Sequence, residues 1–195
     1  MIAFVRGKFI NKTPARVVVD VNGVGYDLQI SLNTYSEIEP LAEGTLFTYW
    51  HWFENGQTFY GFATEAEKEM FLQLISVSGV GAATARMMLS GMKPTEIARA
   101  IVQGNAKQLE AIKGIGKKSA ERLIVELKDK LAKLVNEQQA SLLKTPLEGH
   151  QSDAIDALMA LGINKNMAEN AVKKVTMANA NIPLETLIKL ALKNL

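Results

Sequence analysis

Two stretches of this chain spell the same loop. Val77-Ser78-Gly79-Val80-Gly81-Ala82-Ala83-Thr84-Ala85 and Ile112-Lys113-Gly114-Ile115-Gly116-Lys117-Lys118-Ser119-Ala120 both read apolar-x-Gly-apolar-Gly-x-x-(Ser/Thr)-Ala, at a constant offset of 35 residues. Each joins a predicted helix end to a predicted helix start. The chemistry such a loop can do is anion binding by main chain. The first glycine ends a helix in a left-handed conformation without steric cost. The apolar residue between the glycines plugs the core and fixes the loop. The second glycine lets a large ligand approach the backbone, where the unpaired N–H groups of the next helix start point outward beside a positive dipole end. A phosphate fits that arrangement, and a contact made by backbone groups does not read base sequence.

In the second copy Lys117, Lys118 and Arg122 fall on the first turns of the following helix. Cations there oppose the helix dipole and cost several tenths of a kcal/mol. A nearby polyanion reverses that sign, so the placement points to function. Two other phosphate motifs fail on spelling. A Walker loop ending at Gly116-Lys117 would need Gly and Ser/Thr where Ala111 and Lys118 stand. A dinucleotide fingerprint would need a third glycine where Thr84 and Ser119 stand, and a strand before each loop.

The whole chain is consistent with such a binder. It has 195 residues, 48% hydrophobic and 22% charged, the profile of globular domains. No apolar run is long enough to span a membrane, the first residues lack the order of a signal peptide, and the expected address is cytoplasmic. Without cysteine, and with only His51 and His150 as histidines, it has no disulfide or thiolate metal site, and neither metal nor cofactor is expected. Net charge is only +2, but it is unevenly spread. Residues 1–63 carry four basic against six acidic side chains, residues 64–135 twelve against eight, and residues 136–195 six of each. The loops lie in the electropositive third.

Around the loops, three kinds of segment are legible. Residues 1–63 read as β: Val17–Val21 and Val24–Ile30 flank Asn22-Gly23, and Leu46–Phe53 and Thr58–Phe62 flank Asn55-Gly56. Asn-Gly between apolar runs is a two-residue hairpin signal. With Ile2–Ile10, about five strands result, and a small antiparallel barrel removes their exposed edges. At Thr64 the period changes: Thr64-Glu65-Ala66-Glu67 has capping-box form, and helices are predicted after it, near 95–103, near 106–112 and over 117–135. Residues 136–151 lose periodicity and read as a tether, with its core at 143–150. Ser152-Asp153 then opens a three-helix unit stopped once by Gly162. The expected organisation is multidomain α+β, with a barrel over 1–63, a helical domain over 64–142, a linker over 143–150 and a three-helix bundle over 151–195.

The paired loops resemble tandem helix-hairpin-helix DNA-binding domains. With a barrel before them and a tethered bundle after, the chain resembles the RuvA family, the Holliday-junction-binding subunits of the bacterial branch-migration complex. The likeness covers nearly all the residues and is strongest over Val77–Ala85, Leu89-Ser90-Gly91-Met92 and Gly114–Lys130. It implies that the barrel is an OB-fold. It implies a homotetramer, or an octamer of two tetramers, that holds a four-way junction open and square without catalysis of its own. It also implies two protein partners, the AAA+ motor RuvB and the resolvase RuvC. By position, the phosphate-binding role passes to Gly79, Val80, Gly81 and Thr84, and to Gly114, Ile115, Gly116, Lys117, Lys118, Ser119 and Arg122. The family's acidic pin, two adjacent carboxylates on a barrel hairpin facing the crossover, aligns with Glu54 and Asn55, so only the first acid is kept.

Leu158, Leu161 and Ile163 are candidates for the motor-binding surface. Tyr49, Trp50, His51, Trp52 and Phe53 form an aromatic strand assigned to core or subunit packing, with His51 a hydrogen-bonded strand residue. Glu65, Glu67 and Glu69 read as a solvated helix start. Two other functions stay open at this point. An enzyme would be a structure-selective nuclease, for which no paired carboxylate motif for two metals is evident, or a glycosylase of the helix-hairpin-helix type using Lys128 or Asp129, although their helix pattern reads as packed and solvated. A single-strand-binding OB protein would stack bases on the aromatic strand.

Overall fold

The computed structural model describes residues 2–54, 56–141, 146–178 and 182–194, which form two compact units, Met1–Lys133 and Leu134–Leu195. The first begins with strands β1 (Phe4–Thr13), β2 (Arg16–Val21) and β3 (Val24–Gln29), helix α1 (Leu32–Ile38), and strands β4 (Glu43–Phe53) and β5 (Gly56–Phe62). The strands close into a barrel in the order β1-β2-β3-β5-β4, the OB-fold order. Four of the pairings are antiparallel, while β3 meets β5 in parallel through Gln29 and Tyr60. A wholly antiparallel barrel was expected. The parallel seam arises because α1 and β4 intervene between β3 and β5. Val17, Val19, Leu28 and Leu46 fill the barrel with no exposed surface.

The first Asn-Gly hairpin is as expected, with Val21 opposite Val24 and φ of 52° at Asn22 and 87° at Gly23. The second is shifted by one residue. Phe53 pairs with Gly56, so Gly56 is a strand residue and not part of the turn. Glu54 is an exposed turn residue, and Asn55 lies outside the described residues.

Helices α2 (Glu65–Ile75), α3 (Ala82–Gly91), α4 (Pro94–Val102), α5 (Ala106–Glu110) and α6 (Lys117–Ser141) follow. They share a core with the barrel: Phe71 of α2 packs 5.0 Å from the rings of Tyr60 and Phe62 and 5.6 Å from Tyr49. Burying the apolar face of α2 against β4 and β5 ties both parts into one unit. Thr64 caps α2 by accepting from the Glu67 amide at 3.2 Å. The carboxylate of Glu67, however, is neither solvated nor folded back on the cap. It is buried, accepting from the hydroxyl of Ser31 and, at 2.6 Å, from that of Thr34. Thr34 Oγ1 in turn accepts from the Ala63 amide at 3.0 Å. The capping-box spelling is satisfied on one side only, because donors from α1, remote in sequence, outcompete the local amide.

The second unit contains α7 (Pro146–Ala160), α8 (Lys165–Ala178) and α9 (Leu184–Lys193). Helix α6 runs past its expected end, and α7 starts at Pro146 and not at Ser152, so residues 146–150 of the expected linker are helical. Proline is favoured at a first helical position, since its missing N–H is needed by no helical bond there. Residues 142–145 lie outside the described residues. Gly162 stops α7 at φ 89°, with Ile163 N–H donating to the Leu158 carbonyl and Gly162 N–H to that of Met159. This is a Schellman motif. Among the described residues no helix is long and apolar enough to cross a membrane.

Burial raises the pKa of the Glu67 carboxyl, against hydrogen bonds from Ser31 and Thr34 that lower it. The folded state therefore holds this proton more tightly than the unfolded chain does. Its stabilising contribution is present below the ordinary Glu range and is lost as pH rises through the raised folded value. Chemical-denaturant melts across that window should show stability falling with pH in the parent and a flatter profile in Glu67→Gln. Glu67→Ala leaves two buried hydroxyls without their acceptor, and should cost about 2–4 kcal/mol in the same melts below the ordinary Glu range, and less as pH rises.

Candidate nucleic-acid interface

The two loops adopt the same conformation. Gly79 and Gly114, each at the end of a helical stretch, have φ of 89° and 94°, which only glycine adopts without strain. Val80 and Ile115 are each 5% exposed and sit in the same hydrophobic core. Their amides donate to Val77 and Ile112 carbonyls, both at 3.0 Å. Each plug thus pins its loop from below. The next helices open identically, Ala85 N–H reaching the Gly81 carbonyl at 2.9 Å and Ala120 N–H the Gly116 carbonyl at 3.0 Å. The 35-residue repeat of the sequence is a repeat of hydrogen bonds.

What these openings leave outside is the candidate site. An α-helix cannot satisfy its first amides internally, and a glycine N-cap has no side chain to offer them. Gly81 caps α3 in extended conformation without any side-chain hydrogen bond. A Cβ placed on Gly81, Gly114 or Gly116 would meet no atom within 4 Å, so the backbone is open to a ligand there. The first loop also frames a shallow open depression lined by residues 75–81. An anion laid against either loop meets main-chain donors and the positive end of a helix.

Lys117 and Lys118 stand exposed on the first turn of α6, beside the second loop. Thr84 and Ser119 occupy equivalent first-turn positions of α3 and α6 and are half-buried. Arg122 has a further job. Its Nη1 donates to the carbonyl of Ser78 in the first loop at 3.1 Å, and its Nε faces Glu126 at 3.5 Å. One side chain of the second hairpin therefore holds the first in place. Sequence alone did not reveal this, because Ser78 and Arg122 are 44 residues apart. The same holds for Arg86, whose Nη1 faces the Ala15 carbonyl at 3.0 Å and Gln29 Oε1 at 3.1 Å, tying α3 to the barrel. It also holds for Asn33, which donates to the carbonyls of Leu89 and Met92 and so binds α1 to the end of α3.

Elsewhere the expectations need correction. Leu158 is fully buried, and Ile163 packs against the same cluster, so these two are core of the small bundle and its Schellman stop. Leu161 is 65% exposed and alone of the three offers a surface. The aromatic strand divides: Tyr49 and Trp50 pack on neighbours, whereas Trp52 and Phe53 are exposed and take no part in the barrel core. His51 makes ring contacts with Tyr49, Phe53 and Tyr60. Lys128 and Asp129 are exposed on α6, as their helix pattern implied.

Arg122→Met keeps the aliphatic stem and removes the donor to Ser78. It should cost about 1 kcal/mol in a urea melt, the scale of one partly solvated hydrogen bond. It should also speed amide exchange at Val80 more than at Ile115. Equal exchange at both plugs would remove the brace.

Comparison with known proteins extends over the whole chain. Residues 1–61 match the family described as RuvA N terminal domain, residues 71–129 the SAM-like helix-hairpin-helix tandem, and residues 149–195 the RuvA C-terminal domain. A protein of Flavobacterium psychrophilum named Holliday junction branch migration complex subunit RuvA is 43% identical over 195 residues, covering all of both chains. Proteins of the same name are 42% identical in Cytophaga hutchinsonii, covering 99% of each chain, and in Chromobacterium violaceum, covering 100% of this chain and 98% of the relative. With its barrel, its twin glycine loops and its terminal bundle each matched in order, the chain belongs to the RuvA family.

Proposed function

We propose that this protein binds four-way DNA junctions through the main-chain amides of its two loops, without regard to base sequence. In this reading it is a non-catalytic subunit of a branch-migration complex acting in recombination and repair in the cytoplasm. The observation that carries the reading is the geometric identity of the two loops: matched glycine conformations, matched buried plugs and matched helix openings. Two equivalent phosphate sites on one rigid unit fit two phosphates of a backbone, and several copies of the chain would grip the arms of a junction at once. A homotetramer, or two tetramers enclosing the DNA, supplies those copies.

Lys117 and Lys118 add charge beside the second loop, and their cost at a helix start is recovered when phosphate arrives. Arg122 keeps the loops in register and adds a further cation. Glu54 at the end of the β4–β5 hairpin presents a carboxylate to the crossover, where it disfavours phosphate and helps keep the centre open. The exposed Leu161 belongs to the surface that receives the RuvB motor, and RuvC resolves the same junction.

Junction affinity should fall with salt, log K dropping by about 0.9 per unit of log salt for each phosphate contact. Lys117→Ala with Lys118→Ala should weaken binding and flatten that slope by up to about 1.8. A gel-shift competition among junction, duplex and single strand at equal salt should rank the junction first. A slope that does not move in the double variant would remove the phosphate assignment, and preference for single strand would replace the junction reading with that of a general OB-fold binder.

A further inference from the structure

The end of the β4–β5 hairpin is built as an aromatic ladder that leaves the barrel. Trp50 is anchored at its base, packed 5.7 Å from Phe59, with its indole N–H donating to Gln57 Oε1 at 3.0 Å. Trp52, two residues on and so on the same side of the strand, stacks on Trp50 with centroids 4.9 Å apart and planes within 24°. Beyond that stack Trp52 is 67% exposed. Phe53, on the opposite side, sits 5.9 Å from His51 and is 51% exposed. The next residue is Glu54, exposed in the turn.

No core needs these two rings where they are. Held in place by a second indole and a hydrogen bond at the base, Trp52 loses little freedom on meeting a ligand, which favours binding. Its outer surface is flat, neutral and π-rich, and a carboxylate lies beside it. That pairing rejects a phosphate and accepts the face of a nucleobase. A junction held open offers such faces: when arms no longer stack end on end, the base pairs at the crossover each have one face without a neighbour.

We propose that Trp52, backed by Trp50 and accompanied by Phe53 on the other side of the hairpin, is a stacking platform for the unstacked base faces at the crossover. This rests on the junction-binding reading and adds to it a contact with bases in place of backbone. Stacking restores to the opened centre part of what the arms lose, in a manner indifferent to sequence, because every base has a π-face.

The chain has two tryptophans, both in this ladder, so the full-length protein reports on its own platform. Intrinsic tryptophan emission is titrated with a synthetic four-way junction and with a linear duplex of the same arm sequences. Quenching by the junction well beyond that by the duplex is expected. Trp52→Ala should lower the junction-over-duplex preference about tenfold, the scale of one lost stacked base. Trp52→Phe should restore most of it. Emission that changes equally with both DNAs, or with neither, overturns the platform. So does a Trp52→Ala protein that elutes as a smaller assembly than the parent, which would make this face a contact between copies of the chain. If the parent does not prefer junction to duplex, the junction reading fails and the platform with it. If the preference is strong while emission stays constant and Trp52→Ala keeps it, only the platform fails.

Discussion

The structure turns on main-chain amides that a helix cannot use. Every α-helix starts with N–H groups lacking internal acceptors, and most proteins silence them with a capping side chain. Here α3 and α6 each start after a glycine, at which an added side chain would meet no atom within 4 Å, so the backbone at both helix starts is open to a ligand. A buried helix end of this kind would be costly. On the surface it is tolerated by water and available to an anion. The apolar plugs Val80 and Ile115 make the exposure specific, since burying them forces the glycines on either side outward.

Two such sites are useful together only if the distance between them is kept. That is the task of the polar ties around the loops. Arg122 joins the hairpins directly, Arg86 ties α3 to the barrel, and Asn33 ties the end of α3 to α1. Glu67 fastens α2 to α1 through two hydroxyls in the interior. The shared aromatic core of Tyr60, Phe62 and Phe71 supplies the apolar part of the same joint. Barrel and helices consequently behave as one unit, in which the hairpin carrying Trp52 and Glu54 and the loops carrying the amides are parts of one frame. Residues that look unrelated in sequence hold the two loops in one frame.

Much of this was legible from the chain alone. The twin loops, the left-handed glycines, the Asn22-Gly23 hairpin and the cap at Thr64 depend on neighbours a few residues away, and such neighbours are visible in sequence. Helix α1 has no counterpart among the expected elements, because 7 residues are too few to show a helical period. Helix α7 starts earlier than the expected bundle, because Pro146, which falls in the expected linker, stands at a first helical position.

What the sequence determined by itself was local: which residues bend, which begin a helix, and which repeat. Its strongest statement concerned backbone chemistry at two glycine pairs, where residue type alone restricts φ and removes the side chain. Only tertiary structure decided the uses of side chains with partners far along the chain. It put Glu67 inside and not in solvent, Leu158 in a core and not on a surface, and Trp52 outside and not in the barrel. The reason is physical: burial and long-range hydrogen bonds depend on which elements pack together, and a carboxylate or an indole takes the environment that packing leaves to it.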